Sequence, residues 1–313
     1  MAAEILDSAA GQPSPGIRAQ APVSAADQRR RMRAIALMCA ATICFAGLDT
    51  SAKSLSGVLP AIEIVWARYV AAAIVGLVAV RPFLHPEVLR SKRPLLQILR
   101  SLLLLASTTT NFLALRQLQL AETSTINFLT PLFVVLLAGP LLGEWAGGAR
   151  LVAVAIGFVG VIVATGPGTH AFQPVVFVAI AGVFCNAGYA LTTRLLASSD
   201  PSTTTLFWTP LAGVVLLTPA LPFAWINPPS LTILAVMVGM GFFASLGHWL
   251  LILAHERAPA SVLTPFGYTQ LLWMILSGLL VFGDRPSGRI LLGAGIVVGC
   301  GLYLIWRERA RGK

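Results

Sequence analysis

Apolar runs of about 20 residues recur from Ala34 to Trp306, separated by short stretches of charge, Gly and Pro. Wound as an α-helix at about 1.5 Å per residue, a run of that length crosses the ~30 Å hydrocarbon core of a bilayer. Backbone N–H and C=O groups have no water to bond there, so only helices or a closed barrel are admissible. The alternating pattern of a membrane barrel strand is absent. With 11% of its 313 residues charged, against roughly a quarter in soluble proteins, the chain has no room for a soluble catalytic domain. The fold class expected is all-α: a polytopic membrane protein.

Cutting the runs at charged, Gly and Pro clusters predicts ten spans, beginning near Ala34, Pro60, Leu95, Ala121, Arg150, Pro174, Thr203, Leu231, Ala260 and Arg289. Orientation follows from the basic residues, which concentrate on the cytoplasmic side. With the N-terminus inside, only Lys53, Arg116, Arg285 and Arg289 of the 22 Lys and Arg fall outside, and Arg68 lies within a span. The rest, Arg100 among them, collect in cytoplasmic loops and the two tails. Both termini are expected in the cytoplasm, in a multi-pass protein of the cell inner membrane, with an even number of spans.

Residues 1–33 form an Ala-, Ser- and Pro-rich tail expected to be disordered, and residues 307–313 a short basic one. Arg29-Arg30-Arg31 precedes the first span without a small-residue cleavage site, so it reads as a cytoplasmic anchor and not an export signal. The net charge of +10 is scattered through loops and tails, which argues against a nucleic-acid partner. Cys39, Cys44, Cys185 and Cys300 lie in apolar segments without metal or redox spacing. No metal or cofactor is expected.

Sliding the chain against itself reveals similarity at an offset of about 140 residues. Leu142-Gly143-Glu144 meets Phe282-Gly283-Asp284, Cys44-Phe45-Ala46-Gly47 meets Cys185-Asn186-Ala187-Gly188, and Lys53 meets Arg194. Two halves follow, residues 34–167 and 174–306, with five spans each. Because five is odd, the second half crosses in the opposite sense, giving two inverted five-helix repeats. Inverted repeats are the hallmark of secondary transporters, in which one half moves against the other around a central site.

These residues resemble the EamA family of the drug/metabolite transporter superfamily. The likeness rests on five spans per half, a fourth span ending in Leu142-Gly143-Glu144, and the stretch from Tyr268-Thr269-Gln270 to Phe282-Gly283-Asp284. It covers about residues 34 to 306, with Asp284 in place of the more usual Glu. The resemblance implies a carrier of small metabolites, and amino-acid export as its activity, with uptake or facilitated diffusion as the alternative.

Charged residues inside spans mark a site or a partner. Asp49 and Lys53, spaced i, i+4, share a helix face and can pair; with Thr42 they form a stripe toward the interior. Asp49 can instead pair with Arg68 across helices. Asp49, Lys53, Glu63 and Arg68 sum to zero, which suits a neutral or zwitterionic substrate. Lys53 and Glu63 can alternatively snorkel to the interface. Polar and aromatic candidates for the site are Asn111, Asn127, Asn186, Tyr189, His248, Tyr268, Gln270 and Trp273. The run Ser107 to Thr110 is expected to bond its own helix, since hydroxyls can reach their own carbonyls. Pro131 offers a kink or a hinge. Asp49 or His248 could titrate if transport is proton-coupled. Gly157, Gly160 and Gly295-xxx-Gly299 read as helix packing, between halves or in a homodimer; monomer and homodimer both remain open. Glu144 and Asp284 read as helix-terminal contacts. An intramembrane enzyme lacks its constellation: there is no His-Glu-x-x-His and no second aspartate at the depth of Gly283-Asp284.

Overall fold

The computed structural model describes residues 25–143, 147–167, 172–258 and 260–311. Glu144 and residues 1–24 of the N-terminal tail, with Arg18, lie outside these residues, whereas residues 25–33, expected to belong to a disordered tail, form the first turns of the first helix. The described chain is helical and contains no strand. Its helices are α1 (Ala25–Ser56), α2 (Ala61–Val80), α3 (Pro94–Leu115), α4 (Leu120–Asn127), α5 (Thr130–Leu142), α6 (Gly148–Thr165), α7 (Val176–Leu196), α8 (Ser202–Trp208), α9 (Leu211–Leu217), α10 (Leu231–Arg257), α11 (Ala260–Gly267), α12 (Thr269–Ser277) and α13 (Gly288–Arg311). A π-helical turn, Gly278–Phe282, continues α12.

Among the described residues, seven helical stretches are long and apolar enough to cross a membrane, the fourth being Leu120–Leu142. Leu151–Thr165, Ser202–Leu217 and Gly288–Leu304 are shorter apolar helices. Large apolar side chains such as Val78, Phe177, Leu231, Val238, Leu280 and Trp306 are exposed on the outside, as expected where the surrounding solvent is lipid.

Local chemistry sets the helix ends. Pro94 stands in the first turn of α3, where its missing N–H has no intrahelical partner to lose. Ser230 caps α10 by accepting from the Ile233 N–H at 3.2 Å. Gly143, Gly166 and Gly283 close their helices in the left-handed conformation, which costs glycine least. Arg81 does the same for α2 at φ 49.

Three helix pairs pack most extensively: α1 with α10, α3 with α7, and α6 with α13. Close approach is built on small residues. Gly47 of α1 abuts the Phe243 ring of α10, and Gly188 of α7 abuts Leu103 of α3. Between α6 and α13, Gly160 faces Ile296, Val297 and the backbone of Gly293. Gly295 and Gly299 face open space instead, so the contact inside the chain runs through Gly293.

Candidate functional site

Two helices that would otherwise be continuous are interrupted midway. The break between α4 and α5 falls at Phe128 and Leu129, with Pro131 in the first turn after it. The break between α11 and α12 falls at Tyr268. The Phe128 and Tyr268 rings meet edge to face at 5.0 Å between centroids. Interruption releases backbone groups from the helical ladder, which a membrane protein tolerates where they line a cavity.

A cavity of about 420 Å³ lies at these breaks, lined by Asp49, Arg68, Asn111, Asn127, Thr130, Asn186, Tyr189, His248, Tyr268 and Gln270, with Phe45, Phe112 and Phe128. That volume lies in the ordinary range for ligand sites, about 300–1,000 Å³. The wall is a connected polar chain. Asn111 donates through Nδ2 to Asp49 Oδ1 at 3.2 Å, Asn127 donates to Asn111 Oδ1 at 2.9 Å, and Asn186 donates to Thr130 Oγ1 at 3.3 Å. His248 packs its ring edge to face on Phe45 at 5.1 Å.

A second cavity of about 480 Å³ adjoins the first, sharing Arg68, Leu104, Tyr189 and His248. It continues past Arg100, Thr193, Thr205 and Thr209 to Ala197, Asp200 and Ser202, at the end of the bundle where α3 and α8 begin. Arg100 is buried within α3. It donates through Nε to Thr193 Oγ1 at 2.7 Å, and through its terminal nitrogens to Thr209 Oγ1 at 2.7 Å, the Thr205 carbonyl at 3.4 Å and Tyr189 Oη at 2.8 Å. Its guanidinium also stands over the Tyr189 ring, 4.5 Å from the centroid. At the mouth, Asp200 accepts from the Ser91 hydroxyl, from Gln97 Nε2 at 2.8 Å and from the Lys92 N–H at 2.9 Å. Burial alone would raise the Asp200 carboxyl, but these hydrogen bonds outweigh it and hold it below the usual range.

The opposite end is sealed. Lys53 donates to Asp284 Oδ2 and to the Leu118 carbonyl, each at 2.9 Å, with its ammonium 5.0 Å from the Phe282 ring centroid. Glu122, buried on α4, lies within electrostatic reach of Lys53. Leu55, Leu59, Leu115, Leu118 and Leu120 fill this layer and are all but inaccessible.

Several expectations are corrected here. Lys53 pairs with Asp284 and not with Asp49; an acid across the bundle reaches its ammonium where the one on its own helix does not. Asp49 and Arg68 influence each other electrostatically without forming an ion pair among the described residues, because Asn111 holds Asp49 while Arg68 donates to Thr108. Glu63 does not snorkel: it is fully buried, with Oε2 accepting from the Ile226 N–H at 3.1 Å. Trp273 packs against the apolar core and lines neither cavity. Arg100, read from sequence as a loop charge, is part of the wall; the charged residues lining the two cavities are Asp49, Arg68, Arg100 and Asp200, which again sum to zero but include neither Lys53 nor Glu63. Of the Thr run, Thr109 and Thr110 bond their own helix, while Thr108 accepts from Arg68. Tyr268 presents its ring, and its hydroxyl lies against Gly301.

A polytopic helical bundle with a polar cavity at two helix breaks is the construction of a membrane transporter. Comparison with known proteins agrees. The chain belongs to the EamA-like transporter family, whose sequence model matches residues 32–166 and again residues 173–307. It is similar to a riboflavin transporter of Vibrio cholerae, 35% identical over 170 residues, 54% of this chain and 57% of that protein. An S-adenosylmethionine uptake transporter of Rickettsia felis is 26% identical over 83% of this chain and 88% of its own length. A riboflavin transporter of Brucella anthropi is 26% identical over 80% and 89%. A solved crystal structure, 21% identical, superposes with a TM-score of 0.56 over 90% of this chain and 98% of its own, a likeness of fold. This is a multi-pass transporter of small molecules and not an enzyme.

Proposed function

We propose that the protein carries a ring-bearing metabolite, of the riboflavin or S-adenosylmethionine kind, into the cell by alternating access. The observation that carries this reading is the cavity at the helix breaks, continuous with a vestibule at the Asp200 end and closed at the Lys53 end. An amino acid would leave much of that space to water. The similar proteins named above support a larger, planar substrate and uptake, in place of the amino-acid export that the family at large suggested.

The machinery consists of ten crossings in two inverted halves, residues 34–167 and 174–306, with both termini cytoplasmic in the inner membrane. Support comes from contacts that repeat. Lys53 and Arg194, and Gly47 and Gly188, correspond under the internal repeat; so do Leu103 and Phe243. Gly47 abuts Phe243, and Gly188 abuts Leu103. The pairing of α1 with α10 and of α3 with α7 is likewise one contact made twice. Phe128 and Tyr268, ring against ring, occupy corresponding positions at the two breaks, where discontinuous helices of inverted-repeat transporters place substrate sites. On this orientation the vestibule opens to the cytoplasm and the Lys53–Asp284 layer closes the outside. Asp49 and His248 are candidates for coupling to protons.

The test is uptake by reconstituted proteoliposomes, with labelled riboflavin, S-adenosylmethionine and a panel of amino acids. Saturable movement of either of the first two is expected, and its collapse by a protonophore would establish the coupling. Movement of amino acids alone would overturn the substrate class.

A further inference from the structure

Arg68 stands where the two cavities meet. A guanidinium has five N–H donors in a planar fork. Among the described residues, the hydrogen bond of Arg68 goes to Thr108, leaving most of the fork without a protein acceptor. The Tyr69 and Phe112 rings also stand beside it, at 5.6 and 5.9 Å from their centroids. Asp49, the nearby acid, is held by Asn111 and makes no ion pair with it.

Arg100 differs. Four of its donors are taken by neutral oxygens of Thr193, Thr205, Thr209 and Tyr189. The guanidinium is therefore fixed in place while its charge stays uncompensated. The acid on the same vestibule wall, Asp200, is occupied with Ser91, Lys92 and Gln97. His248 lies within electrostatic reach of both guanidiniums. Keeping such a charge out of water is costly unless an acceptor arrives.

We propose that Arg68 binds the substrate through a planar acceptor edge, and that Arg100 is a positioning residue that orients Tyr189 and adds positive potential. A guanidinium fork matches two adjacent acceptors in one plane. A carboxylate supplies that edge, as in S-adenosylmethionine, and so does a flavin ring where a carbonyl oxygen stands beside an unprotonated ring nitrogen. This inference rests on the substrate class proposed above and adds which part of the molecule faces the cytoplasmic vestibule.

The test is equilibrium binding of riboflavin and of S-adenosylmethionine to the purified full chain in detergent. Arg68→Lys keeps the charge and loses the fork, so the bound ligand should weaken about tenfold or more, with the thermal midpoint unchanged. If S-adenosylmethionine binds, its decarboxylated analogue should weaken similarly in the wild type and lose little further in Arg68→Lys. If riboflavin binds, lumiflavin, which keeps the ring and lacks the ribityl chain, should lose affinity in Arg68→Lys by a similar factor, and an undiminished lumiflavin affinity overturns the ring edge as the contact. Arg100→Gln should weaken the carboxylate ligand more than its decarboxylated analogue, a difference that a purely structural role would not produce. Should Arg68→Lys fail to fold, phenylglyoxal modification of wild-type Arg68, read by peptide mass spectrometry, should be blocked by the bound ligand. Unchanged affinity in a folded Arg68→Lys, or no protection, overturns the inference alone. A wild type that binds neither probe overturns the substrate class, and this inference with it.

Discussion

Asp49 draws its position from Asn111, and Asn111 in turn accepts from Asn127. Removing the middle member therefore disturbs three helices. We predict that Asn111→Leu lowers transport at least tenfold and the thermal midpoint measurably, since the buried Asp49 is left with an unmet hydrogen bond at about 1–3 kcal/mol and the half-buried Asn127 loses its acceptor. Asp49→Asn preserves the shape and should reduce transport while leaving the midpoint nearly unchanged. Flux in proteoliposomes and unfolding in detergent separate the two effects. Most of this wall was legible in the sequence, because a polar residue within an apolar run needs a partner or a ligand. Arg100 was not legible. It lies close to the start of α3 and reads as a loop charge, and its acceptors Thr193, Thr205 and Thr209 converge on it only once α7 and α8 are packed against α3.

Helices in this bundle approach each other where a side chain is missing. A Cβ on Gly293 would collide with the Gly160 carbonyl and with Ala164, whereas Gly295 and Gly299 have nothing near them. Gly293→Ala should therefore destabilise the protein by about 1–3 kcal/mol, and Gly295→Ala and Gly299→Ala should leave the thermal midpoint unchanged. The sequence signals close packing through small residues on α6 and α13, but both Gly293 and Gly295 fit a small-residue stripe, and only the rotation of α13 against α6 chooses between them. The loop before α3 makes a different kind of contact. Asp200, held below its usual range by Ser91, Gln97 and Lys92, binds protons less readily folded than unfolded. Its contribution is full above the ordinary Asp value of about 4 and is lost as pH falls through the lower folded value. The gap in thermal midpoint between wild type and Asp200→Ala should be constant near pH 7 and narrow below about pH 4.

At the scale of the molecule, the alternating access proposed above requires that the two ends of the pathway not be open together. The Lys53 end is held shut by one ion pair, a backbone carbonyl and a layer of leucines, whereas the Asp200 end has a vestibule. The sequence marks Lys53 as an intramembrane charge and Asp284 as a helix-terminal acid, but their meeting across α1 and the α12–α13 connection depends on how the halves dock. Because the pair is partly buried, removing one partner strands the other. Lys53→Met and Asp284→Asn should each loosen the closed end, and the exchange Lys53→Asp with Asp284→Lys should restore it in part. Accessibility can read this out. In a background with Cys39, Cys44, Cys185 and Cys300 replaced, a cysteine at Thr193 should react with a membrane-impermeant thiol reagent added from the cytoplasmic side. A cysteine at Asn127, beneath the leucine layer, should be protected from reagent added outside. In Lys53→Met the external labelling of Asn127→Cys should rise severalfold, and bound substrate should suppress it by occupying the cavity. If Asn127→Cys reacts from outside as fast in the wild type as in Lys53→Met, the Lys53–Asp284 layer is not what closes the pathway.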